Sequence, residues 1–177
     1  MKKDVDPNAI KLGSKEALEF VSWLVNPNRL FDVALTTYDF DLVTLVASQT
    51  QKDPKEYVPY LAQLKELPNA DYQRYKIHLD LKEYEKALEW LAKCSDSDAY
   101  FEEAKQLIKK QRLYKHALGC FEGQRLKQIN CLFGEYLEQR GYIDEAAYAY
   151  ITAGELRLSL DAFLKALDVG MVFSVAA

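Results

Sequence analysis

Three eight-residue segments, YEKALEWL from Tyr84, YKHALGCF from Tyr114 and IDEAAYAY from Ile143, repeat one pattern at intervals of 30 and 29 residues. A bulky residue opens each segment, Ala follows three positions on, an apolar or small residue four on, and a bulky residue seven on. That spacing belongs to one face of an α-helix. The packing set is Tyr84, Ala87, Leu88 and Leu91 in the first copy. It is Tyr114, Ala117, Leu118 and Phe121 in the second, and Ile143, Ala146, Ala147 and Tyr150 in the third. FDVALTTY from Phe31 and LRLSLDAF from Leu156 are weaker copies, the latter with Ser159 in the Ala slot. A small residue on the inner face lets a second helix approach closely, and aromatic residues one or two turns away fill the remaining gap. One helical hairpin cannot bury both of its faces, so such repeats stack. The expected fold is all-α, a TPR-like α-solenoid of about five to six antiparallel helix hairpins in a right-handed superhelix. Ala87, Ala117 and Ala146 are expected at buried helix–helix contacts. The competing architecture is an irregular helical bundle.

Helix-start signals agree with this reading. Ser14 precedes KEALEFVSWLV, Asn26 precedes Pro27, and Asp53 precedes Pro54, each pairing a capping oxygen with a favourable first-turn residue or with Pro at the first position. Either Asp39 or Asp41 is placed to cap the next segment. All five prolines lie at or before Pro68, so Gly123, Gly141 and Gly154 are read as the separators of the second half. The resulting helices span residues 14–25, 27–38, 41–50, 54–66, 70–82, 84–93, 98–110, 112–121, 125–140, 142–153 and 156–167, with another from 169. Pro59, inside the fourth, predicts a kink. Connections of two to five residues force neighbouring helices to reverse direction. Residues 1–13 read as a polar leader of little structure and 14–177 as one TPR-like segment. MVFSVAA ends the sequence within an apolar pattern, as expected of a piece cut from a longer protein.

Composition narrows the function classes. Leu and Ala supply 44 residues against 21 from Val, Ile and Thr, which favours helix over strand. No apolar run approaches the roughly 18 residues of a membrane span, and the opening lacks a signal-peptide core. The expectation is an intracellular chain with no membrane contact. Cys94, Cys120 and Cys131 form no C-x-x-C pair, so buried reduced thiols are expected and no cofactor or metal is implied. His116 and Cys120 share a helix face at i, i+4, but two ligands do not make a zinc site. His78 reads as a partly exposed interhelical histidine. The carboxylate pairs Asp39 and Asp41, Asp96 and Asp98, and Glu102 and Glu103 read as helix caps, first-turn charges and a solvated face. No Gly-rich phosphate loop is present. Nothing here points to an enzyme.

The sharper feature is charge. Residues 105–127 carry Lys105, Lys109, Lys110, Arg112, Lys115, Arg125 and Lys127 against Glu122 alone. The local charge of +6 leaves −10 elsewhere in a chain of net charge −4. Such a stripe reads as a contact for RNA or an acidic partner surface, or as an ordinary solvated face.

The run YDFDLVTLVASQTQKDPKEYVPYLAQLKEL, followed by YQRYKIHLDLKEYEKALEWLAKC, resembles the helical-repeat region of the IKAP-type scaffold, the family of the largest subunit of the Elongator complex. The most telling parts are Tyr38 to Val43, Gln51 to Tyr57, and Tyr72 to Ile77 leading into Tyr84 to Leu88. Gly134 to Tyr150 and Ala153 to Phe163 are also similar, so the resemblance covers nearly all of residues 14–177. The stretch from Phe121 to Tyr136 departs from the regular repeat and leaves its register open.

The resemblance implies a non-catalytic scaffold segment supporting assembly of the complex that modifies wobble uridines of tRNA. Its implied partners are the other Elongator subunits, including the catalytic one, and a second copy through flanking regions of the full-length protein, with an auxiliary tRNA contact. Cytoplasm, and also nucleus, are the implied compartments. A rival from another class is an RNA-binding helical-repeat module using the basic stripe. A third reading is a vesicle-coat or chaperone-adaptor solenoid.

Overall fold

A computed structural model describes residues 24–94, 97–166 and 174. The expected leader, most of the expected helix at 14–25, the expected helix from 169, and Asp96 lie outside the described residues. Among those described there are ten helices and no strand. They are α1 Pro27–Leu35, α2 Phe40–Gln49, α3 Pro54–Lys65, α4 Ala70–Asp80, α5 Tyr84–Lys93, α6 Asp98–Gln111, α7 Tyr114–Cys120, α8 Gly123–Gln139, α9 Ile143–Ala153 and α10 Leu156–Lys165. The chain divides into two compact units between Lys82 and Glu83.

In the first unit, side chains start the helices. The carboxamide of Asn26 accepts from Asn28 N, and Asp39 accepts from both Asp41 N and Leu42 N. Asp39 is therefore the cap and Asp41 a first-turn charge. Asp53 and Asn69 cap α3 and α4 in the same way. The α3 helix runs through Pro59 from Pro54 to Lys65. Successive helices α1, α2, α3 and α4 pack on one another. Their core joins Phe31, Ala34, Leu35, Val43, Val46, Ala47, Tyr57, Leu61, Leu64 and Ile77. The expectation of partial exposure for His78 is corrected, because the ring is 2% exposed and its Nε2 lies 2.7 Å from the Tyr38 hydroxyl. That contact ties the turn after α1 to α4, and Arg74 lies over the Tyr38 ring.

The second unit starts most of its helices differently. At α5, α7, α8, α9 and α10 no side chain caps the N-terminus. The recurring device is a left-handed residue two positions before the next helix. Lys82, Arg112, Gly141 and Gly154 all have φ between 58° and 83° and precede α5, α7, α9 and α10. Beyond three of them the next amide reaches back to close a Schellman turn: Leu113 N to Ile108 O, Tyr142 N to Leu137 O, and Glu155 N to Tyr150 O. Glycine is the low-cost residue at such positions, so Gly141 and Gly154 were legible as separators while Lys82 and Arg112 were not. The expected helix at 112–121 accordingly begins at Tyr114, and that expected at 125–140 begins at Gly123. At α6 the cap is Ser97, whose hydroxyl accepts from Ala99 N, with Asp98 as a first-turn charge.

Small residues set the spacing between helices. Ala87, Ala104, Ala117, Ala146 and Ala147 are wholly buried. Helices α8 and α9 meet more closely still. A methyl group placed on Gly134 would lie 2.6 Å from a ring carbon of Tyr150, which is 2% exposed. Only a hydrogen fits there. The same Tyr150 donates from its hydroxyl to Glu138 at 3.0 Å, and Glu138 also accepts from Lys165. One carboxylate on α8 thus holds α9 and α10. The Lys165 hydrogen bond, aided by that of Tyr150, lowers the Glu138 pKa against the opposing effect of burial. Burial and the Glu138 contact push the Tyr150 phenol well above its ordinary value.

Gly134→Ala should destabilise the chain by about 1–2 kcal/mol, an overpacking cost of about 1–3 kcal/mol partly offset by better helix propensity. Urea denaturation checks this, and the penalty should shrink when Tyr150 is shortened to Leu. Ala87→Leu should cost about 1–3 kcal/mol by the same overpacking. An unchanged melting temperature would contradict either placement. Glu138 has a lowered folded-state pKa, so its contribution is complete above the unfolded carboxylate value of about 4.3 and is lost as pH falls through the folded value. Lys165 has a raised pKa, and its share is lost as pH rises beyond about 10. Glu138→Gln should therefore flatten both limbs of stability against pH, measured by urea midpoints across the pH range.

Candidate interaction surface

The seven cations of the stripe do not act as one surface. Lys105 and Arg125 are spent on packing. The Lys105 Nζ and the Arg125 guanidinium each stand 5.1 Å from the centre of the buried Phe101 ring. Lys105 also pairs with Glu102, while Arg125 comes within 3.9 Å of Asp98. Both are only 23% exposed at the side chain. Lys127 lies on α8 and, together with Lys105, lines a groove formed with Gln128, Leu132, Glu135 and Glu155.

The remaining four gather at one corner. Lys109 and Lys110 occupy the last turn of α6, Arg112 is its left-handed C-cap at φ 58°, and Lys115 stands in the first turn of α7. All four are exposed. No acidic residue interrupts residues 109–115. Beside the corner lies a small open cavity of about 250 Å³, lined by Glu85, Arg112, Leu113, Tyr114, Lys115, His116, Phe133 and Tyr136. Its wall is a ring stack: Tyr114 and Tyr136 lie 4.3 Å apart at 21°, and Tyr114 and Phe133 lie 5.7 Å apart at 22°. Burial holds the Tyr114 phenol above its ordinary value, with Arg112 pulling it down. Charge counting finds the cations but not Phe133 and Tyr136, because these stand one helix away. The only sequence trace of the cavity is that Tyr114 opens a repeat segment.

His116 and Cys120 do share a face, lining a groove of about 550 Å³ with Glu89, Ala92, Lys93, Lys115 and Gly119. His116 Nε2 faces the Glu89 carboxylate at 3.2 Å, and the Cys120 thiol donates to the His116 carbonyl of its own helix. Burial raises the thiol pKa values of Cys120 and Cys131, away from the reactive thiolate. Cys94 is buried with its thiol directed at Trp90 O. Among the described residues no group of three or more His, Cys, Asp or Glu side chains could hold a metal ion. No helix among them is long and apolar enough to cross a membrane.

Most of the repeat residues turn inward. Tyr114, Phe121 and Tyr150 are buried with the alanines, and Leu88 and Leu91 with them, while Tyr84, Leu118 and Ile143 are half-buried. They hold helices together, while Val33, Val58, Tyr148 and Leu164 stand exposed among the charged residues of the outer faces.

Comparison with known proteins fits this arrangement. Residues 1–64 match the family model of the ELP1 alpha-solenoid, and residues 72–177 match that of the ELP1 TPR domain. The chain is 42% identical over 161 residues to Elongator complex protein 1 of Oryctolagus cuniculus, covering 90% of this chain and 12% of that protein. It is 39% identical to the Mus musculus protein of that name over 97% of this chain and 13% of the relative. The Saccharomyces cerevisiae protein is 32% identical over 89% of this chain and 12% of the relative. The chain therefore spans roughly an eighth of the length of these relatives. With both halves matched in order by its two helical-repeat models, the chain belongs to the Elongator complex protein 1 family.

Proposed function

We propose that this chain is a non-catalytic scaffold segment of the Elongator complex, supporting assembly of the machinery that modifies wobble uridines of tRNA. The observation that carries the reading is the ordered match of residues 1–64 and 72–177 to the two helical-repeat models of the family. The physical character of the chain supports it. Its distinctive residues, the buried alanines, Gly134 and the inward aromatics, are used in fixing helix to helix. Burial raises the Cys120 and Cys131 thiol pKa values, and carboxylates such as Asp39 and Glu102 cap a helix or pair with a neighbouring cation. Packed helices within each unit offer surfaces that suit binding other subunits. The partners are the other Elongator subunits, the catalytic one among them, with a second copy engaged through regions flanking this segment. The compartment is the cytoplasm, shared with the nucleus.

The rival, a direct RNA-binding module on the basic stripe, has less in its favour. A backbone-tracking site needs an extended row of free cations, and Lys105 and Arg125 are engaged with Phe101 and Asp98. Transfer RNA contact is therefore auxiliary in this reading.

Co-expression of the tagged chain with the other Elongator subunits tests it. The tagged chain should recover them in fixed proportion and should not modify tRNA by itself. Failure to recover any of them, or turnover by the isolated chain, would overturn the proposal.

A further inference from the structure

Two residues at the α6–α7 corner sit where local physics disfavours them. Arg112 occupies a left-handed backbone position at φ 58°, ψ 37°, where glycine costs least; Gly141 and Gly154 fill the matching turns before α9 and α10, while Lys82 fills the one before α5. Lys115 lies in the first turn of α7, which holds no acidic residue, although that end of a helix favours negative charge. Lys109 and Lys110 need no such explanation, since cations suit the last turn of α6. Both misplaced cations line the same cavity, and stacked aromatic rings form its wall. Local choices that conflict with the fold and converge on one concave site mark a site kept for binding.

We propose that this corner binds an acidic peptide segment bearing one apolar anchor side chain, its carboxylates on Arg112, Lys115 and the α6 lysines and its anchor against the half-buried rings of Phe133 and Tyr136. The inference rests on the reading of the chain as a protein-contacting scaffold and names the chemistry of one partner segment. Charge complementarity supports the occupant. Residues 109–115 carry +4, while the rest of the chain carries −8. A short acidic segment meets only the corner, whereas a long polyanion would extend over surface of its own sign. The cavity, about 250 Å³, suits one side chain and falls below the size of ordinary small-molecule pockets. Tyr114 is 6% exposed, so its ring face is committed to packing and is closed to base stacking. Glu85 also lines the cavity, so the segment meets it with an amide or hydroxyl and keeps its carboxylates on the cations.

Fluorescence anisotropy on the whole chain tests the proposal with three probes: a short Glu- and Ser-rich peptide with one central Leu, the same peptide with Ser for that Leu, and a single-stranded oligonucleotide of equal charge. The first should bind, the second several-fold more weakly, and the oligonucleotide more weakly than the first. The informative variant combines Arg112→Gly with Lys115→Glu. Each change suits its backbone position or helix end better, so the melting temperature should hold or rise while affinity for the Leu peptide falls about tenfold or more. No binding of the Leu peptide, equal binding by the variant, or tighter oligonucleotide binding that the variant abolishes would overturn the inference. Recovery of other Elongator subunits without peptide binding would overturn it and leave the scaffold reading standing. Peptide binding without recovery of subunits would do the reverse.

Discussion

The contact between Gly134 of α8 and the ring of Tyr150 on α9 fixes how closely two helices can lie, and the second unit depends on it. With no side chain at Gly134, the Tyr150 ring packs on bare backbone, and its hydroxyl is carried to Glu138, which in turn holds Lys165 of α10. Three consecutive helices are thereby located by one small residue, one aromatic ring and one carboxylate. Ala146, Ala147, Ala162 and Phe163 close the core around that point. The first unit reaches the same end with Ala34 and Ala47 among Phe31, Val43, Val46 and Leu61. Interior packing at this density tolerates neither a void nor an added methyl group at the closest crossings.

Much of the fold was legible in the sequence because the repeat is a direct image of helix packing. Ala87, Ala117 and Ala146 stand in the same slot of three segments, and backbone proximity is the only reason that slot stays small. Caps made by Asn26, Asp39 and Asp53 were legible for a similar reason, since the oxygen and the amides it serves are neighbours in sequence. The turns after α4 and α6 were less so. Lys82 and Arg112 adopt a left-handed conformation that their side chains do not advertise, and only the hydrogen bonds around them reveal the turn. Gly134 was hidden as well, because its partner lies sixteen positions on in another helix.

The interaction surface shows the limit of counting charge. Seven cations in twenty-three residues suggest a stripe, yet charge along a sequence says nothing about which side chains are already engaged. The buried Phe101 ring takes two of them, Asp98 and Glu102 share in that, and a third, Lys127, lines a groove beside Glu135 and Glu155. What remains is a compact corner beside stacked tyrosines. Helices keep Arg112 and Lys115 at a fixed separation, and on the proposed reading that preorganisation lowers the entropy lost when a peptide binds.

Native-state hydrogen exchange measures the claim that the α8–α9 crossing anchors the second unit. Amides in the middle of α8 and α9, around Gly134 and Tyr150, should exchange last within residues 83–166 and only by global opening, while those of α7 exchange earlier through local opening. Equal protection across the unit, or slower exchange in α7 than at the crossing, would contradict the account.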